Sequence, residues 1–94
     1  MAPEAETREA QERELQDAAF RFDLVEALEQ GGRSVSRICR SLGYQPDPHT
    51  LLVTYLVTLC SHAKLPGAEL VFEFQQDGVL DRLACDLEAD AAEF

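Results

Sequence analysis

Pro48-His49-Thr50-Leu51-Leu52-Val53-Thr54-Tyr55-Leu56-Val57-Thr58-Leu59-Cys60-Ser61-His62 decides the fold. Its apolar side chains occupy nearly the whole circumference of a helix. The one polar stripe is narrow and uncharged: Thr50, Thr54, Thr58 and Ser61. A helix apolar almost all round is a buried helix. Residues 48–62 are therefore expected to form the central helix of the domain, or to complete their burial against another chain. Asp47 fits the N-cap, and Pro48 fits the first helical position, where its missing N–H costs nothing.

On the N-terminal side, residues 5–30 read as a long amphipathic helix. Leu15, Ala18, Phe22, Val25 and Leu28 recur every three or four residues, and Phe20, Leu24 and Ala27 widen the stripe. Gly31-Gly32 is expected to stop this helix, since glycine takes the left-handed cap conformation cheaply. Ser34 then caps a short helix over 34–42 with Val35, Ile38, Cys39 and Leu42 on its apolar face, and Gly43 ends it.

On the C-terminal side, Leu70, Phe72 and Phe74 alternate in the manner of a strand, and Asp77-Gly78 is a hairpin turn pair. Leu80, Leu83, Ala84, Leu87, Ala91 and Phe94 return to helical spacing, so 78–92 reads as helix. Segment 69–74 is open between strand and short helix. The fold class is mainly α: one domain over 1–94, a compact bundle of four to five helices, with a short strand or hairpin near 69–84 as the open element. The core is expected to span about 14–88, and the acidic ends, 1–10 and 89–94, are expected to fray.

Residues 34–44, Ser-Val-Ser-Arg-Ile-Cys-Arg-Ser-Leu-Gly-Tyr, resemble the first helix and turn of helix-turn-helix and winged-helix regulators. The resemblance implies that the following helix enters the DNA major groove, with 69–84 as a wing. Here that helix is 48–62, and between Thr50 and Ser61 it holds no Arg, Lys, Asn or Gln. The chain has 8 basic and 18 acidic residues, a net charge of −10, which opposes the phosphate neutralisation that dominates DNA affinity. DNA regulation is therefore the alternative reading, not the leading one.

The charge is segregated. Residues 1–30 hold nine acids and three bases, a net of −6; 31–66 hold four bases and one acid, a net of +3; 67–94 hold eight acids and one base, a net of −7. Arg33, Arg37 and Arg40 form the basic cluster between two acidic arms. They are expected either to pair with Glu26 or Glu29 or to contact a partner. With Thr50, Thr54 and Thr58 on the central helix, they are the candidate partner-contact residues.

Cys39, His49, Cys60, His62 and Cys85 are too scattered for a structural zinc site, which uses paired ligands at short spacing. No nucleophile elbow or phosphate-binding glycine loop is present. No catalytic, cofactor or metal residue is assigned, and the chain reads as a non-enzyme. Apolar runs fall far short of the ~20 residues needed to span a bilayer. Three cysteines without a Cys-x-x-Cys pair, and an acidic start without an apolar signal core, predict free thiols and a cytoplasmic location, or a nuclear one in a eukaryote.

With 46% hydrophobic and 28% charged residues, the composition suits a folded domain. The leading functional expectation is a small acidic protein-binding module acting by docking, as an adaptor, inhibitor or regulatory subunit. An acidic nucleic-acid mimic that inhibits a nucleic-acid-binding protein is a further alternative. Its partner is expected to be another protein. A homodimer is also expected, because helix 48–62 and a strand at 69–74 would otherwise leave apolar surface and an unpaired edge uncovered.

Overall fold

Four helices make up the regular structure in the computed structural model, which describes residues 3–92: α1 (Pro3–Ser41), α2 (Pro48–His62), α3 (Gly67–Gln76) and α4 (Val79–Ala92). The mainly α class is correct. Among the described residues there is no strand. Residues 1–2 and 93–94, part of the ends expected to fray, lie outside the described residues. Helix α1 reaches back to Pro3, so most of the 1–10 end is helical.

The two helices expected over 5–30 and 34–42 are one helix of 39 residues. Gly31 and Gly32 do not stop it. Positive φ among the glycines is confined to Gly43 (85°) and Gly78 (72°). A Cβ at Gly31 would lie 2.8 Å from Tyr55 Cε1, and one at Gly32 would lie 3.1 Å from Leu52 Cδ2 and 3.2 Å from Leu87 Cδ1. The pair is a place where α2 and α4 approach the α1 backbone, and close packing offsets the roughly 1 kcal/mol that each glycine costs a helix interior relative to alanine. The stop comes at Gly43, as expected. Tyr44 N–H donates to Cys39 C=O at 2.7 Å and Gly43 N–H to Arg40 C=O at 3.0 Å, the paired bonds of a Schellman cap.

Helix α2 begins as its sequence predicts. Asp47 is extended and its carboxylate accepts from Thr50 N–H (3.4 Å) and Thr50 Oγ1 (2.6 Å), with Pro48 in the first turn. The Thr50 hydroxyl bond holds the Asp47 carboxyl below its ordinary value. A folded pKa below the unfolded one gives stability that is present above the unfolded value and fades as pH falls through the folded one. Asp47→Ala should therefore lower stability at neutral pH and flatten the acid limb of a pH–stability curve below the ordinary carboxylate range. Denaturation midpoints measured from pH 7 to pH 2 check this.

The end of α2 uses the same cap geometry without glycine. Lys64 sits at φ 57°, and Leu65 N–H donates to Cys60 C=O at 2.8 Å. A left-handed residue with a Cβ carries about 1 kcal/mol of strain. Lys64→Gly should therefore raise stability by about 0.5–1 kcal/mol despite the added freedom of the unfolded chain. An unchanged or lowered unfolding midpoint would contradict that conformation.

Segment 69–74 lies wholly in α3, so the strand and hairpin alternatives are corrected. Leu70, Val71 and Phe74 turn toward the core, while Phe72, which strict alternation would place beside Leu70 and Phe74, is 60% exposed. Burial at positions 70, 71 and 74 follows a 3.6-residue period. Asp77-Gly78 joins two helices. Leu80, Leu83 and Leu87 then form the buried stripe of α4.

One cluster forms the core: Leu24, Leu28, Leu52, Leu56, Cys60, Phe74, Leu80, Leu83 and Leu87. Helix α2 packs against all three other helices and is the central one, as expected. Val35 lies beside Leu51 and Thr54, and Gly31 beside Tyr55, so α1 and α2 run antiparallel.

The core starts at Leu24 rather than near residue 14. From Arg8 to Asp23 every residue of α1 is exposed, including Leu15 (70%) and Phe22 (65%). Length is the reason. At 1.5 Å per residue α1 runs about 58 Å, whereas α2, α3 and α4 run about 15–22 Å each and cannot flank it throughout. The molecule measures 63 × 25 × 20 Å, with a radius of gyration of 16.6 Å. About 12 Å is usual for a compact chain of this length. A helical arm projects from a small four-helix body.

Candidate interaction surface

Arg33, Arg37 and Arg40 lie on the last turns of α1, around a concavity shared with Leu87 and Asp90 of α4. Arg33 is committed to the fold. Its guanidinium sits 2.9 Å from Glu29, four residues back, and 2.8 Å from Asp90 on α4. Of the two partners expected for the cluster, Glu29 is used. The concavity holds about 20 Å³, room for a single water.

Thr50, Thr54 and Thr58 line the exposed side of α2 as their spacing predicts. Their hydroxyl protons are already used. Thr50 Oγ1 donates to Asp47, Thr54 Oγ1 to Thr50 C=O at 2.9 Å, and Thr58 Oγ1 to Thr54 C=O at 2.8 Å. What the stripe offers outward is methyl groups and acceptor lone pairs.

Two apolar surfaces were treated in the sequence as core. One surrounds the α1–α2 turn, where Val35, Leu51 and Tyr55 line an open groove of about 380 Å³ and Ile38, Leu42 and Tyr44 are exposed. The other is the α1 arm. Leu15, Ala18, Phe22 and Val25 are spaced three and four apart, so they form one seam along the helix. Only Val25, at its inner end, packs against the core. The signal in the sequence was the polar run Thr7–Glu14 just before the stripe, which offers no large apolar side chain for the rest of the chain to cover.

Among the described residues, no three His, Cys, Asp or Glu side chains are grouped to hold a metal ion. The nearest charged neighbour of His49 is Asp81, with Nε2 3.5 Å from Oδ1. Among the described residues no helix is long and apolar enough to cross a membrane. The three cysteines are free: Cys85 exposed, Cys39 half-buried, Cys60 buried. Burial pushes the Cys60 thiol up, which suppresses the reactive thiolate. In the native protein a disulfide reagent should therefore label Cys85 first and Cys60 last, and full labelling of Cys60 should require denaturant. Equal native rates at all three would contradict this burial.

Comparison with protein-family models, with curated proteins and with solved structures finds no match to this chain.

Proposed function

We propose that the protein is a small acidic docking module that works by binding another protein, as an adaptor, inhibitor or regulatory subunit. The observation that carries this reading is the exposed seam of the α1 arm. Leu15 and Phe22 stand about two-thirds in water on a helix that has left its own core. Contiguous apolar surface of this kind marks interaction sites. An isolated helical stretch of this length is marginal in water, so a partner's surface would also stabilise the arm. Three free thiols suit a reducing compartment, so we place the module in the cytoplasm or nucleus.

One ground for expecting a homodimer, an unpaired strand edge at 69–74, has no counterpart in the fold. On α2, which packs against three helices, Val57 and the groove at Leu51 and Tyr55 still face outward.

The test is affinity capture on immobilised full-length protein from an extract of cells that express it, with the Leu15→Asp/Phe22→Asp double variant in parallel. A partner retained by the wild type and lost by the variant supports docking through the arm. Retention by both places the contact elsewhere, and retention by neither overturns the reading. A gel-retardation assay with random duplex DNA at low salt should show almost no binding. Strong salt-sensitive retardation would favour a DNA regulator instead. A captured nucleic-acid-binding protein that free nucleic acid displaces would favour the acidic mimic.

A further inference from the structure

Resting on the docking reading, we infer that the α1 arm receives one basic amphipathic helix of a partner protein, laid along the seam in coiled-coil fashion. The seam repeats at coiled-coil spacing: Gln11, Leu15, Ala18, Phe22 and Val25 alternate four and three apart. Small Ala18 between the large Leu15 and Phe22 leaves a hole that a partner's leucine can enter.

The line is continuous with a helix contact the molecule already makes. Further along α1 the same spacing reaches Glu29 and then Gly32, where Leu87 of α4 closes in, and Asp90 of α4 pairs with Arg33 beside that position. Leu87 and Asp90 of α4 thus meet the line at Gly32 and beside it at Arg33, and before Val25 it is exposed. A partner helix would cover that exposed stretch.

Charge selects the chemistry of the occupant. From Glu9 to Glu29 there are seven acids and two bases, a net of −5. Glu12, Glu14 and Glu26 stand directly beside the seam. Arg21, which also borders it, is paired with Glu73 of α3 at 2.7 Å. A helix with Lys or Arg beside its own apolar positions meets Glu12 and Glu14 near one end of the open seam and Glu26 near the other, with Arg21 between them already paired. An antiparallel second copy of this chain would instead set Glu12 against Glu26, and a copy in either orientation would bring its own −10 charge. The open seam is about two heptads long, short for an independent coiled coil, so the contact is expected to be transient and salt-sensitive.

Two synthetic helical peptides test this on the full-length protein. Both carry Leu at the core positions of about three heptads; one has Lys and Arg beside them, the other Glu. Binding is followed by fluorescence anisotropy. The basic peptide should bind at least about ten-fold more tightly, and raising salt to about 0.5 M should erase most of that margin. Leu15→Asp/Phe22→Asp should abolish binding without changing the stability of the body, since both side chains are exposed. Ile38→Asp, in the other apolar surface, should leave binding unchanged. Glu12→Lys/Glu26→Lys should shift the preference toward the acidic peptide.

Equal affinity for both peptides, or basic-peptide binding that survives the seam variant, would overturn the proposal. So would self-association in sedimentation equilibrium that the seam variant abolishes, which would assign the seam to a second copy. Peptides that do not discriminate, together with capture of a cellular partner that depends on Leu15 and Phe22, would overturn the basic helix and leave the docking reading standing.

Discussion

Leu56→Ala should lower the free energy of unfolding by about 2–5 kcal/mol. Leu56 is 0% exposed at the middle of α2, the helix against which α1, α3 and α4 all pack. Truncation to alanine removes the transfer energy of the lost atoms and leaves a cavity. Leu56 belongs to a core cluster to which all four helices contribute, so the cavity should collapse only in part. Small domains are stable by only about 5–15 kcal/mol, so the loss is a large share of the total. The measurement is a urea denaturation curve, with a lower midpoint and an unchanged slope. Val57→Ala is the paired control. Its side chain is half-exposed on the same helix, and it should cost far less. Equal losses at the two positions would mean that α2 is not covered on the Leu56 side.

The central helix was legible because burial of a whole circumference leaves a composition that few other structures produce. Its start was legible too, since Asp47 and Pro48 act through local bonds that need no tertiary context. The cap at Gly43 is of the same kind. What escaped the sequence depends on neighbours far along the chain. Gly31-Gly32 has the composition of a stop, but its role is set by Leu52, Tyr55 and Leu87, which no local pattern brings to it. Leu70, Phe72 and Phe74 alternate, yet α2 and α4 bury only one side of the segment, and that side runs 70, 71, 74.

The site was half legible on the same principle. The Arg33–Glu29 pair is an i,i+4 neighbour relation and could be expected. Arg33–Asp90 joins two distant elements and could not. The stripe Leu15–Ala18–Phe22 was found in the sequence and given the wrong environment. Amphipathic spacing reports that one side of a helix avoids water; it does not say whether this chain supplies the cover. Only the comparison of lengths, 39 residues in α1 against 15, 10 and 14 in the others, shows that this chain does not.

Gly32→Val should destabilise the protein by about 1–3 kcal/mol, whereas Gly32→Ala should stay within about 1 kcal/mol of wild type. Gly32 is helical, so alanine meets no backbone penalty and gains helix propensity. Its Cβ, however, would lie 3.1 Å from Leu52 Cδ2 and 3.2 Å from Leu87 Cδ1, and both leucines are buried in the core. Each must give by a few tenths of an ångström, and that cost offsets the gain. Valine adds two further methyl groups to the same space, and its branched Cβ leaves one favoured rotamer in a helix with which to avoid them. The loss is therefore a packing loss, and relieving the packing should recover part of it. In a Gly32→Val/Leu87→Ala pair the two changes should couple favourably by about 0.5 kcal/mol or more, because the valine fills the hole that the shortened leucine leaves. Gly43→Ala is the contrast: its Cβ would meet open space, but φ is 85°, so its loss is backbone strain and no partner substitution can rescue it. Unfolding curves for the set distinguish a close helix contact from a helix stop. If Gly32→Ala were as damaging as Gly43→Ala, with no coupling to Leu87, α1 would have to break at the glycine pair.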